Sequence, residues 1–325
     1  MPREEVRTAG GPATGCAEAA HMRATTRPVP RGAARHEQPP PAVPGRLGDW
    51  LLLRELGRGA MAVVYEALWR DGGAVALKLP LCARGGRALR REARALTAAG
   101  QHPDLVGLVA RATPAGRDAL ALDLVRGTPL DVVLRGGPLP PREAALALAG
   151  PACALAHLHA RGVVHRDVKP ANVIVRPGGR GVLMDLGLAR SPGEVDDSGW
   201  AVGSPAYMPT DQLCGVRAGP AADVFALGVS LYEALTGCLP HSAPTTSGIV
   251  SARSSRPALA PRELAPHVPA ELDDLVVACL ADRAFARPRA IEVAARLEAW
   301  ARPTLLARLT ALAARGRSVS KARAS

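Results

Sequence analysis

The chain has 325 residues, 48% of them hydrophobic and 22% charged, enough to bury the core of a two-lobed enzyme without specifying one. Its formal charge of +12 gathers at the ends: seven arginines against four glutamates in residues 1–46, and six basic with no acidic side chains in residues 302–325. Only 3% of residues are aromatic, so a stacking platform for nucleic acid is missing, and charge alone supports no specific nucleic-acid partner.

The six cysteines, at 16, 82, 153, 214, 238 and 279, form no CxxC pair and have no histidines at zinc-finger spacing. Neither a structural metal site built on cysteine nor a disulfide framework is expected, and a reducing cytoplasm is the simpler reading. The richest apolar run, Ala144 to Ala160, is interrupted by Gly150, Pro151 and His157, short of the roughly 20 apolar residues a membrane span needs. No N-terminal stretch resembles a signal peptide, so a soluble cytoplasmic protein is expected.

In chain order, residues 1–46 are rich in Pro, Gly, Ala and Arg with no apolar period, and read as a disordered arm. From Trp50 short Leu/Val runs punctuated by glycine predict strands, followed by a helix over Ala88–Ala99 and strands over Leu105–Ala110 and Ala119–Val125. After Gly127 apolar spacings of three and four predict helices over Pro141–Ala160, Ala221–Thr236, Pro269–Ala281 and Pro288–Ala301, several with proline near the start. Residues 241–262, rich in Ser, Thr, Pro and Arg, read as a surface loop with one short helix. The class is α+β: a small β-rich lobe with one helix over 47–126, a helical lobe over 127–301, and a basic tail over 302–325. Leu305, Leu306, Leu309 and Leu312 give that tail an amphipathic pattern for a partner, a membrane surface or the lobe itself.

Four segments carry chemistry. Leu56-Gly57-Arg58-Gly59-Ala60-Met61-Ala62-Val63-Val64 is a glycine-rich hairpin that could approach phosphates, with Val64 against a base; alone it is weak. Val75-Ala76-Leu77-Lys78 places an ammonium on the next strand, with Glu92 as the natural helix partner. His165-Arg166-Asp167-Val168-Lys169-Pro170-Ala171-Asn172 sets a carboxylate, an ammonium and a carboxamide in one loop, where Asp167 can take a hydroxyl proton, Lys169 steady a phosphoryl group and Asn172 offer an oxygen to Mg²⁺. Asp185-Leu186-Gly187, after an apolar run, would set a carboxylate at a strand end, where it can serve as a second metal ligand beside the Asn172 oxygen. Only three of the 41 basic Lys and Arg residues are Lys, at 78, 169 and 321, and Asn172 is the sole asparagine, so the scarce residue types fall on the chemical positions.

From about Leu47 to Ala301 the sequence resembles the eukaryotic-like Ser/Thr protein kinases of bacteria. Gly203-Ser204-Pro205-Ala206-Tyr207-Met208, the run Asp223 to Val229 and Arg287-Pro288 match that family's substrate-side loop, central helix and late arginine. The resemblance implies a bilobal kinase fold and an ATP site formed by Leu56, Gly57, Gly59, Val64, Ala76, Lys78 and a hinge at Asp123 and Val125, with Leu122 behind it. It implies Asp167 as catalytic base with Lys169, Lys78 and Glu92, and Asn172 and Asp185 on Mg²⁺, for which Mn²⁺ can substitute. Acceptors would be Ser or Thr hydroxyls of proteins, and a second copy of the chain would serve for phosphorylation in trans. His165 is given a supporting role only. Arg166 offers a docking charge for an activation-loop phosphate, with Ser191, Ser198 and Ser204 as hydroxyls in reach, and Ser204 more suited to contacting the catalytic loop. Ala62, Leu186 and Ser204 depart from the family pattern with size or chemistry retained. Asp211, where the family has Glu, is expected to pair with buried Arg287. A pseudokinase scaffold remains the alternative, a small-molecule phosphotransferase a more distant one.

Overall fold

The computed structural model describes residues 41, 43–69, 72–190 and 203–302. The expectations for Ser191, Ser198 and the leucines of the basic tail therefore lie outside the described residues.

The N-terminal lobe is a six-stranded antiparallel sheet in the order β1-β2-β3-β4-β6-β5. Its strands are β1 (Gly45–Leu47), β2 (Trp50–Arg58), β3 (Ala62–Leu68), β4 (Ala74–Pro80), β5 (Leu108–Ala112) and β6 (Ala119–Asp123), with helix α1 (Ala83–Ala99) inserted after β4. β1 thus begins two residues inside the segment read as an arm. Register does the positioning: Gly57 stands opposite Val64, and Val64 opposite Lys78, so the lysine lies in line with the glycine-rich hairpin.

The sequence reading starts α1 at Ala88, five residues late, because Gly85 and Gly86 look like helix breakers. The structure gives Gly85 a reason to be there: a Cβ at this position would lie 2.0 Å from the Met61 carbonyl oxygen, so only glycine lets the helix approach the hairpin. The expected strand at Leu105 also splits. Leu105 bridges to Leu183 of the other lobe, with Val106 N donating to Leu183 O at 3.0 Å, and β5 joins the N-terminal sheet only from Leu108.

The C-terminal lobe contains β7 (Thr128–Pro129), α2 (Leu130–Leu134), α3 (Pro141–Ala160), β8 (Val173–Val175), β9 (Gly181–Leu183), α4 (Thr210–Leu213), α5 (Pro220–Thr236), α6 (Thr246–Ser255), α7 (Pro261–Leu264), α8 (Ala270–Cys279) and α9 (Ala290–Ala301). β7, β8 and β9 form a small antiparallel sheet beneath the cleft. α5 buries residues on all faces, as an apolar helix with no solvent stripe must, and packs against α3 and α8. Residues 241–262 hold more helix than expected: the Thr245 hydroxyl accepts from Gly248 N at 3.1 Å and caps the ten-residue α6.

Pro151 lies inside α3 and lacks the N–H that would bond the Ala147 carbonyl. That carbonyl faces Gly181, where a Cβ would approach to 2.0 Å, and Gly150 meets the Gly181 carbonyl equally closely. Backbone contact between α3 and β9 fixes the strand that leads into Asp185. No helix among the described residues is long and apolar enough to cross a membrane.

Candidate active site

Between the lobes lies a cleft of about 620 Å³. All eight positions expected to line a nucleotide site, Leu56, Gly57, Gly59, Val64, Ala76, Lys78, Asp123 and Val125, border it, together with Glu92, Asp167, Lys169, Asn172, Asp185 and Ser204. Ile174 and Met184 complete its floor. They escaped the sequence reading because apolar floor residues carry no signature beyond strand pattern.

Gly57 and Gly59 are held as glycine neither by packing nor by backbone angle. A Cβ on Gly57 would meet nothing within 4 Å, and one on Gly59 only the Ala62 carbonyl oxygen at 3.8 Å. The open space lies on a cleft-lining hairpin, where a side chain would project into the free room. Asp123 contributes through its backbone, since its carboxylate accepts from Gly107 N at 3.0 Å.

Two polar clusters face the cleft. In the first, Lys78 Nζ donates to Glu92 Oε2 at 2.7 Å and Asp185 Oδ1 at 2.9 Å. Burial disfavours the lysine charge, yet the two carboxylates outweigh it and hold its pKa above the ordinary value. Burial and the nearby Asp185 push Glu92 up to about 7 against the pull of Lys78. For Asp185 burial works the other way from its partners, and Lys78 with the Gly187 amide keeps its pKa lowered. Folded Glu92 holds a proton that the unfolded chain releases between its ordinary value of 4.5 and about 7, so its contribution to stability declines as pH rises through that window. Glu92→Gln is expected to flatten the melting-temperature profile over this range; a slope identical to that of the parent protein would contradict the burial argument.

In the second cluster, Lys169 Nζ donates to Asp167 Oδ2 at 2.7 Å and to Ser204 Oγ at 2.8 Å. Ser204 donates to Asp167 Oδ1 at 3.1 Å, and Asn172 Nδ2 donates to Asp167 Oδ2 at 3.0 Å and to the Asp167 carbonyl at 2.8 Å. The Asn172 amide nitrogen is therefore committed, which leaves its oxygen as the atom for a cation.

A family model described as protein kinase domain matches residues 50–296. The chain is a member of the protein kinase domain family. It is 35% identical over 245 residues to the serine/threonine-protein kinase PknD of Mycobacterium tuberculosis, covering 73% of this chain and 37% of that protein. It is 37% identical over 267 residues to the probable serine/threonine-protein kinase PkwA of Thermomonospora curvata, covering 79% of this chain and 35% of the relative. The match to pkn2 of Myxococcus xanthus is 34% over 222 residues, covering 64% and 27%. The chain thus spans well under half the length of these relatives.

Within this kinase domain the loop of residues 165–172 is held by a residue whose own sequence neighbourhood marks only the start of a helix. Asp223, 1% exposed on α5, accepts from His165 N, Arg166 N and His159 Nε2, each at 2.8 Å. Arg166 and Asp185 adopt positive φ of 71° and 59°, a conformation that costs a non-glycine residue about 1–2 kcal/mol and needs such clamps. His165 accepts from Asp167 N through Nδ1 at 3.3 Å, so its Nε2 carries the proton and donates to the Met184 carbonyl at 3.0 Å. Both ring nitrogens are spent on scaffolding, in line with the supporting role expected from sequence.

One expectation fails. Arg287 forms no ion pair with Asp211: its guanidinium donates to the carbonyls of Ala281 at 2.8 Å, Ala221 at 3.1 Å and Asp282 at 2.9 Å. Asp211, one methylene shorter than Glu, instead accepts from Gln212 N at 2.7 Å in the first turn of α4. Asp211→Ala should therefore cost only about 1 kcal/mol, the worth of a helix-start acceptor, in place of the 3–5 kcal/mol of a broken buried pair. Chemical denaturation distinguishes these values.

Proposed function

We propose that this chain transfers the γ-phosphoryl group of Mg-ATP to Ser or Thr hydroxyls of protein substrates, including a second copy of itself. The observation that carries this reading is the opposition, across one cleft, of Lys78–Glu92–Asp185 and Asp167–Lys169–Asn172–Ser204. The donor set suits the cofactor: the Asp185 carboxylate and the Asn172 carboxamide oxygen are hard ligands of the kind Mg²⁺ or Mn²⁺ takes, and Lys78 is a fixed cation where phosphates would sit.

Mg-ATP, when bound, supplies the phosphoryl group and the metal charge that neutralises it. Leu56, Val64 and Ala76 bury the base, while backbone groups of Asp123 and Val125 meet its edge. Glu92 holds Lys78 in place, and Lys78 holds phosphate oxygens. Asp167 accepts the proton of the attacking hydroxyl, and Lys169 stabilises charge on the transferring group. Ser204, bonded to both, fixes the acceptor side of the cleft, a role that weighs against its being a phosphosite. The EC 2.7.11.1 class follows from this reaction. The intact Lys78, Asp167, Asn172 and Asp185 argue against a pseudokinase.

Incubation with Mg-ATP and a basic protein rich in Ser and Thr should give phosphoserine or phosphothreonine that disappears when the metal is chelated. Phosphate found only on tyrosine, or only on small metabolites, would overturn the acceptor assignment.

A further inference from the structure

Arg253 is an arginine whose position the stability of its own helix does not explain. α6 buries only Ile249 against the lobe, yet Arg253 turns inward, and its terminal nitrogens donate to the carbonyls of Met208 and of Ala206, the latter at 2.9 Å. Its guanidinium lies 5.0 Å from the centre of the Phe225 ring, which Arg287 approaches to 4.9 Å. Burial pushes the Arg253 pKa down to about 10, with Asp282 opposing the shift and the like charge of Arg287 adding to it. Its Nε is buried without a hydrogen-bond partner. Bringing a second cation into this corner is unfavourable unless the groups it bonds need holding.

Those groups belong to the stretch 204–208. It begins with Ser204, which touches Lys169 and Asp167, and contains Tyr207, whose hydroxyl donates to Glu233 at 2.7 Å. It is followed by Asp211, which does not reach Arg287. We propose that Arg253 is a positioning residue for the protein acceptor: by gripping the Ala206 and Met208 carbonyls it holds the substrate-side loop against the catalytic loop, in place of a carboxylate anchor at position 211. This rests on the phosphotransfer reading above.

The test is steady-state kinetics on the full chain with Arg253→Met, which keeps the apolar stem and removes the donors. Two lost charge-assisted hydrogen bonds are expected to lower kcat/KM for the protein acceptor by roughly tenfold to a hundredfold or more. Mg-ATP affinity should not change, because the two gripped residues, Ala206 and Met208, do not border the nucleotide cleft. Adding Asp211→Glu, whose longer side chain can reach towards Arg287, should restore much of the acceptor kcat/KM. Should Arg253→Met fail to fold, Arg253→Lys, with its charge and a single ammonium, should show the same split at smaller size. Equal losses in acceptor kcat/KM and in nucleotide affinity would mark a merely structural residue and overturn the proposal, as would no rescue by Asp211→Glu. A parent protein that binds Mg-ATP but transfers nothing fails the kinase reading instead, so the two failures are distinct.

Discussion

Asp167→Asn is expected to lower phosphoryl transfer by roughly 10²- to 10⁴-fold, the usual worth of a positioned general base, with Mg-ATP affinity unchanged. The carboxylate accepts Lys169 and Asn172 on Oδ2 and Ser204 on Oδ1. Asparagine fits the same space but replaces one accepting oxygen with a donor, so it loses both the site for the hydroxyl proton and one charge-assisted bond. The stability cost of that bond is about 2 kcal/mol, smaller than the expected loss of transition-state stabilisation. Rates with a peptide acceptor, read beside nucleotide titration, separate the two. Transfer at the parent rate would remove Asp167 from the reaction.

Asp223→Ala should give the largest stability loss. Its carboxylate is 1% exposed and satisfies two backbone amides and the ring of His159. Truncation leaves the buried His165 amide and the partly buried Arg166 amide and His159 ring without their acceptor, and it releases the positive φ at Arg166 immediately before the Asp167 carboxylate. A broken buried charged network costs about 3–5 kcal/mol. In a domain of this size that is a fall in melting temperature of roughly 6–20 °C. Activity should fall even at temperatures where the variant is folded, because the loop is no longer clamped. Asp223→Asn keeps one acceptor and should lie between. Melting indistinguishable from the parent protein would contradict the clamp.

Which polar residues converge on the cleft is legible in the sequence where spacing is rigid. Lys78, Asp167, Lys169, Asn172 and Asp185 all border the same cleft: Lys78 from inside β4, the others from the loops around β8 and β9, each within a short motif whose neighbours identify it. Long helices were legible too: α3 spans Pro141–Ala160 as its apolar spacing indicates. What stayed hidden depends on contacts distant in sequence. Gly85 reads as a helix breaker until Met61 is seen against it, and Leu105 reads as part of β5 until Leu183 is seen beside it. Asp211 and Arg287 are the right chemical types for a pair and the shorter side chain is visible in the sequence, but only geometry reveals that the pair does not form. Arg253 lies in a Ser-rich stretch with no readable period, so nothing local announces its inward turn.

The measurement that bears most directly on the central claim is single-turnover transfer from γ-labelled Mg-ATP at known nucleotide occupancy, with the labelled residues located by mass spectrometry. The account predicts label on Ser or Thr hydroxyls, of the acceptor or of the chain itself, and its loss in Asp167→Asn at equal occupancy. A cleft filled with Mg-ATP that passes no phosphate to any protein hydroxyl would contradict it.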